Sequence, residues 1–469
     1  MFFNSILFLS TLFLFLTVYF SINEKRSVRA KIVILAYSYF FYGMWDAAFL
    51  ILIIASTIID YLAARFIEKV PEKKKIFVTA SLICNLGLLG FFKYFNFFVD
   101  TLTPLVHFFG INWAPPLLKL SLPVGISFYT FQTLSYTLDV YRGKIKAANS
   151  FLDVAVFIAF FPQLVAGPIV RASHFLPQLR KESILNNKDM ADGITQILSG
   201  LFLKVVIADN VAGRVNYLFD HWQYNGMVEN WTAAMLFGIQ IYGDFCGYSM
   251  IAIGIAKMMG FSLPDNFNAP YAASGVSDFW HRWHISLSLW LRDYLYISLG
   301  GNRRGTGRTY INILITMLLG GLWHGASIMF VIWGMLHGIY LCVERRIKKQ
   351  FQHIKVTKKS IRYVLSGLII LLTYFVVSIT WIPFRAGTPD QGFAMMHGLF
   401  GGHFNLDSSH LTDIVFISFV FIISCVTRYW NIATLLQKNE GLRFVWVTVA
   451  LISLYYFSGE RTEFIYFQF

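Results

Sequence analysis

Histidines sit inside the apolar runs of this chain, and they are the residues best placed to do chemistry. His324 lies in Leu322-Trp-His-Gly325, with no charged neighbour for more than a dozen residues on either side. An imidazole there is neutral and can take a proton from a hydroxyl. It reads as a general base or as a packed helix histidine bonded to a carbonyl. The cost of ionisable groups at membrane depth favours the base. His281 and His284, in Asp278-Phe-Trp-His-Arg-Trp-His284, share one helix face. With only Asp278 near them they do not amount to a metal site. His337 follows His324 by 13 residues, which puts the two on different faces of a straight helix. A kink or hairpin would be needed to bring them together, and alone His337 reads as structural. Tyr466 is the sole hydroxyl of Phe464-Ile-Tyr-Phe-Gln-Phe469. It is either an aromatic anchor at the outer interface or the tip of a tail able to reach back into a pocket.

Charged residues lie close to these histidines. Arg282, Arg292 and Asp293 are costly at depth unless paired. A water-filled funnel would relieve that cost and would suit an anionic, phosphate-bearing donor such as a coenzyme A thioester. Arg292, Asp293, Arg303, Arg304 and Trp323 are the expected donor contacts. The competing reading is an interfacial amphipathic helix with Trp280, Trp283 and Trp290 at headgroup level. Gly300-Gly-Asn-Arg-Arg-Gly-Thr-Gly307 could cradle a pyrophosphate. It lacks a strand–turn–helix context, so a plain cytosolic turn is the simpler reading.

The elements that must position these residues are membrane helices. Of 469 residues, 56% are hydrophobic and 14% charged, with a mean hydropathy of +0.57. Soluble domains carry about 25% charged residues. Apolar runs near membrane length recur from end to end, so the chain is all-α and polytopic, one membrane body over 1–469 with an outer aromatic tail at 458–469. The net charge of +14 comes from short basic clusters between apolar runs, which fits the positive-inside rule and no nucleic-acid partner. Cys84, Cys246, Cys342 and Cys425 are dispersed and imply neither disulfides nor a metal site. No basic residue precedes the first apolar run, 4–22, so it reads as a spanning helix rather than a cleaved signal.

Basic loops orient the rest. Residues 32–43 and 47–64 cross out and back, turning at Gly43-Met-Trp-Asp46. Residues 76–93 cross out, 94–120 form an outer interfacial segment, and 121–139 return. Residues 151–168 end in Ala166-Gly-Pro168 and read as a broken or re-entrant segment. Residues 192–209 and 231–260 are further helices, the second carrying Gln240, Tyr242, Asp244 and Tyr248. Residues 309–343 have basic flanks on both sides, which requires an even number of crossings. About 32 apolar residues give roughly 48 Å of helix, short for two full crossings of about 30 Å. Two half-depth helices are therefore expected, joined near Gly320-Gly321 or Trp323-His-Gly325, with His324 near mid-plane. One long tilted span is the alternative. Residues 363–383, 411–427 and 443–457 complete the set.

Leu122-Pro-Val-Gly-Ile-Ser-Phe-Tyr-Thr-Phe131, Phe161-Pro-Gln-Leu-Val-Ala-Gly-Pro168, Phe279-Trp-His-Arg-Trp-His-Ile-Ser-Leu-Ser288 and Leu322-Trp-His-Gly325 resemble the membrane-bound O-acyltransferase family. The match is to its bacterial branch, which holds alginate and peptidoglycan O-acetylation subunits and the teichoic acid D-alanylation protein. The resemblance implies a ring of about eleven helices around a central funnel. It implies that His324 matches the catalytic histidine and that His284 and His337 match recurrent positions. It implies too that the tail tyrosine, Tyr466, carries the acyl group outward. Position 281 departs from the pattern, since relatives often have arginine there.

The expected function is transfer of an acetyl group across the cytoplasmic membrane for O-acetylation of a cell-envelope polysaccharide. The donor would be acetyl-CoA, with no bound cofactor or metal. An extracytoplasmic SGNH-type acetyltransferase would be the partner. D-alanyl transfer to teichoic acid is the enzymatic alternative, and a transporter or channel the non-enzymatic one. The latter would predict repeated halves, which the sequence does not show.

Overall fold

The computed structural model describes residues 3, 5–111, 113, 122–181, 186–353, 358–404, 406–430, 432–458 and 464–465. Among them there is no strand, and their regular elements are all helical. Seven helices among the described residues are long and apolar enough to cross a membrane, against the eleven or so implied by resemblance. The protein is thus an all-α, multi-pass membrane protein. The chain divides into two compact units, one of residues 1–197 and 248–264, the other of 198–247 and 265–469.

In the first unit the expected hairpin at Asp46 is present. Asp46 accepts a hydrogen bond from the Ala48 N–H at 2.9 Å, and the return helix runs Ala47–Lys69. The next helix differs from expectation. Residues 94–120 are expected to form a separate outer interfacial segment, but the helix runs on into them, over Pro71–Phe108, through a π-turn at Gly90–Tyr94. A π-turn absorbs one extra residue without ending the helix, and periodicity does not reveal it. The segment at 151–168 is broken as expected: the helix Phe151–Ala159 stops, a single turn Phe161–Leu164 follows, and the chain leaves helical geometry before Pro168. A buried carboxylate in this unit, Asp60, accepts hydrogen bonds from Asn85 at 2.8 Å and Thr137 at 2.6 Å, so no bare charge faces the apolar interior.

The second unit holds all the histidines of interest. Its centre is a helical hairpin of Gly305–His324 and Ile328–Gln350, joined by Gly325, Ala326 and Ser327. The break falls at one of the two expected places. The arms are longer than the apolar count implies: 20 and 23 residues correspond to roughly 30 and 35 Å of helix, and the second arm is one of the seven apolar enough to cross. The helices run beyond the apolar stretch into its basic ends, which a count of apolar residues cannot see.

Glycine lets the arms meet backbone to backbone. A Cβ at Gly321 would fall 2.2 Å from the Phe330 carbonyl oxygen, and one at Gly334 would fall 2.3 Å from the Met317 carbonyl oxygen. At the turn, a Cβ on Gly325 would strike the Phe330 ring at 2.0 Å. Ser327 then caps the return arm, accepting from the Met329 N–H at 3.2 Å. Gly321→Ala and Gly334→Ala should each destabilise the protein by about 1–3 kcal/mol through overpacking. Gly307→Ala, with nothing within 4 Å of its Cβ, is the control in thermal unfolding of the detergent-solubilised protein. Equal stability of all three variants would contradict the close approach.

Candidate active site

The hairpin turn brings His324 to the C-terminal end of the first arm, where it is buried and 4% exposed. His337 lies on the return arm and is fully buried. Trp333 stands between them, its ring 5.1 Å from His324 and 4.8 Å from His337. On the other side of His324 comes Trp323, with ring centroids 5.0 Å apart, and beyond it His284 at 6.0 Å from Trp323. The three imidazoles therefore alternate with two indoles in one packed row. Phe384 closes the row beside His324 at 5.2 Å.

Local bonds fix the protonation of two of these rings. His284 caps the short helix Ile285–Trp290 in a left-handed conformation, φ 41°, unusual for a residue with a Cβ. Asn266 holds it there. The Asn266 side-chain oxygen accepts from the Ser286 N–H at 3.2 Å and the Ser286 hydroxyl at 2.9 Å, and its carbonyl accepts from the Ile285 N–H at 3.0 Å. The same side-chain oxygen lies 3.1 Å from His284 Nδ1, so Nδ1 carries the proton and Nε2 the lone pair. Thr380 does the corresponding service for His337. Its hydroxyl donates to the Val377 carbonyl at 2.6 Å, leaving its oxygen to accept from His337 Nε2 at 3.1 Å. His337 Nδ1 then holds the lone pair.

A cavity of about 440 Å³ opens in this unit, within the size range of small-molecule sites. Apolar side chains, among them Ile285, Leu289, Met317 and Leu341, form much of its wall. Arg292, Arg345 and Lys348 lie along it, with His281 and Asn302. Trp280 belongs to the wall as well, and its ring sits 5.2 Å from His337, so the cavity is one aromatic side chain away from the row of histidines.

The expected donor contacts distribute unevenly around this cavity. Arg292 lines it and pairs with Asp293 at 2.7 Å, on a π-turn at Leu291–Tyr296. Asp293 itself is not on the wall. Arg303 and Arg304 are exposed and stand off the wall, in a turn whose glycines Gly300, Gly301 and Gly305 have positive φ. The turn is the simpler structure anticipated for that motif. Trp323 packs among the histidines instead of facing the cavity. Arg345 and Lys348 belong to the basic flank that follows residue 343. Leu341, Arg345 and Lys348 stand at i, i+4 and i+7, which puts all three on one helix face, a signal available in the sequence.

Arg282 is not stranded. It pairs with Asp278 at 2.9 Å, and Arg428 reaches the same carboxylate at 3.1 Å. Burial pushes the Asp278 carboxyl up, but hydrogen bonds from Ser274 and Arg282 outweigh it and hold the group below the usual carboxylate range. No cluster of three or more metal-ligating side chains occurs among the described residues.

The tail also comes to this unit. Phe464 and Ile465 are buried, 3% and 2% exposed. The Phe464 ring lies 6.3 Å from Phe245, whose ring in turn lies 4.6 Å from His284. Tyr466 itself lies outside the described residues.

The family described as membrane-bound O-acyltransferase matches residues 32–383. A probable alginate O-acetylase from Pseudomonas aeruginosa is 39% identical over 83% of this chain and 73% of its own length. A peptidoglycan O-acetyltransferase from Helicobacter pylori is 36% identical over 80% of this chain and 75% of its own. A teichoic acid D-alanyltransferase from Bacillus subtilis is 29% identical over 46% of this chain and 58% of its own. With apolar helices able to cross a membrane and a histidine row beside a cation-lined cavity, the chain belongs to the membrane-bound O-acyltransferase family and is an O-acyltransferase.

Proposed function

We propose that this protein moves an acetyl group from cytosolic acetyl-CoA across the cytoplasmic membrane, for O-acetylation of a cell-envelope polysaccharide of alginate or peptidoglycan type. The observation that carries this reading is the row His284–Trp323–His324–Trp333–His337 beside the cavity of Arg292, Arg345 and Lys348. The phosphates of the donor stay with the cations, and the neutral acyl arm occupies the apolar part. His324 takes the proton of the acceptor hydroxyl. That oxygen attacks the thioester carbonyl, the C–S bond breaks, and the departing thiolate recovers the proton from His324. His284 and His337 line the same aromatic row in fixed neutral tautomers.

The acceptor hydroxyl in this proposal is Tyr466. Burial of Phe464 and Ile465 supports it, because the tail enters the unit that contains His324. Acetyl-tyrosine then passes its group to an SGNH-type acetyltransferase on the outer side. Relatives named for alginate and peptidoglycan acetylation support acetyl as the group and a glycan as the final acceptor. The D-alanylating relative matches only half of this chain, which makes D-alanyl transfer the second reading.

His324→Ala should lower glycan acetylation by about 10²–10⁴-fold while the protein stays folded in the membrane. Near-normal activity of the purified variant would remove His324 from the mechanism. Tyr466→Phe keeps the ring and deletes one oxygen, so acetylation should vanish at unchanged protein level. Normal acetylation by this variant would make the tail an anchor and send the acyl group by another route.

The cations divide into two testable sets. Arg345→Ala with Lys348→Ala should raise the Michaelis constant for acetyl-CoA several-fold, and more at low salt than at high salt, because screening weakens surface charges. Arg303→Ala with Arg304→Ala, off the cavity wall, should change it little. The reverse ranking at low ionic strength would place the donor phosphates at the glycine turn instead.

A further inference from the structure

Lys204 is a buried cation between two buried carboxylates. Its Nζ lies 2.8 Å from Asp209 and 2.7 Å from Asp244. Lys204, Asp209 and Asp244 are 7%, 9% and 2% exposed. Charges this deep in a membrane helix persist only when paired, and they mark function by default. The second Asp244 oxygen, Oδ2, accepts the main-chain N–H of Ile465, in the C-terminal tail, at 2.6 Å.

The backbone around the triad is shaped to bring these groups together. Lys204 sits in a π-turn, Phe202–Ala208, and Asp209 follows it directly. Such turns are rare and recur at functional sites. Asp244 lies on the helix Met227–Met258 between two glycines. A Cβ at Gly243 would come 3.0 Å from the Leu203 carbonyl oxygen, and one at Gly247 would come 2.6 Å from the Gly200 carbonyl oxygen. Small residues at that spacing let the two backbones touch. The tail leaves from the same place. Trp446 of the last helix donates to Ser199 at 2.8 Å, and Asn210 donates to the Phe457 carbonyl at 3.1 Å. Phe457 contacts Asn210, just after this segment, and Ile465 contacts Asp244, which pairs with Lys204 in it.

We infer that the Lys204–Asp209–Asp244 triad is the docking site for the protein's own C-terminal tail, which it grips by the Ile465 main chain so as to set the depth of Tyr466. The inference rests on the tail reading proposed above for what Tyr466 does, but not for where the tail sits. Asp244 is a positioning residue. It reads a peptide N–H, not a side chain, so it fixes register whatever the neighbouring side chains are. Ile465 joins the buried apolar cluster, and Phe464 packs 6.3 Å from the Phe245 ring.

The test uses the full-length protein in detergent and removes the donor at the tail, where folding of the helices is not at stake. Ile465→Pro deletes the N–H, Ile465→Val keeps it, and Ile465→Ala keeps it while losing most of the side chain. Trypsin cleavage after Arg461, followed by intact-mass spectrometry, reads whether the tail is held. Ile465→Pro should lose the tail about ten- to a hundredfold faster than the natural protein. Ile465→Val should match the natural protein, and Ile465→Ala should fall between. Asp244→Ala should release the tail as Ile465→Pro does, and Asp244→Asn, which keeps an acceptor oxygen, should restore part of the protection. Equal cleavage of Ile465→Pro and Ile465→Val overturns the docking site, whatever Tyr466→Phe does to acetylation. Fast cleavage of Ile465→Pro together with normal acetylation by Tyr466→Phe keeps the docking site and removes the carrier role.

Discussion

Backbone contact between the two arms of the hairpin, at Gly321 and Gly334, is the constraint from which the site's geometry follows. Lipid supplies no hydrophobic force to press helices together, so their association depends on close packing, and small residues make it possible. With the arms this near, three residues must reverse the chain, and the first helix stops abruptly at His324. Trp333, less than two turns into the return arm, then falls between His324 and His337. A larger residue at either glycine would push the arms apart and open the row of rings.

Satisfying polar groups in a dry interior explains much of the remaining detail. A buried imidazole has two nitrogens, and the partner of one dictates the state of the other. Asn266 is already accepting from Ser286, so it can only accept from His284. Thr380 has already donated to Val377, so it too can only accept, from His337. In both cases a helix-terminal or helix-internal bond made for structural reasons leaves a ring nitrogen with its lone pair. The left-handed backbone at His284 is the strained element of this arrangement, and it persists because three bonds to Asn266 overdetermine it.

The elements most legible in the sequence were those marked by punctuation. Basic flanks on both sides of one apolar stretch, with Gly325 after an isolated histidine, announce a helix break, and Pro168 with Gly167 announces the broken segment. The continuation of Pro71–Phe108 was illegible, because a π-turn leaves no trace in composition. The arm lengths were misjudged because helices extend into polar residues once their apolar part is anchored. Arg345 and Lys348 were visible only as charge, since membrane topology and ligand binding both call for basic residues at a helix end. Arg303 and Arg304 were legible as a turn, and the structure leaves them on its exposed side. His337 could not be joined to His324 from spacing alone. Their proximity is a property of the hairpin, and within a single straight helix the 13-residue offset separates them.

The distribution of charge across the site has a consequence for how a large polyanionic donor could react deep in an apolar body. Moving phosphates out of water costs far more than moving a thioester. Arg292, Arg345 and Lys348 line the cavity together with the Glu344 carboxylate, which pairs with Lys348, and much of the remaining wall is apolar, while beyond Trp280 the row of histidines and tryptophans carries no formal charge. On the proposed reading, the donor divides along the same boundary, with its phosphates among the cations and its acyl end among the rings. The desolvated part of the reaction is then a neutral ester exchange assisted by a neutral base. Charge appears there only transiently, as the acceptor oxygen attacks, which is the moment at which a low-dielectric, preformed site differs most from water.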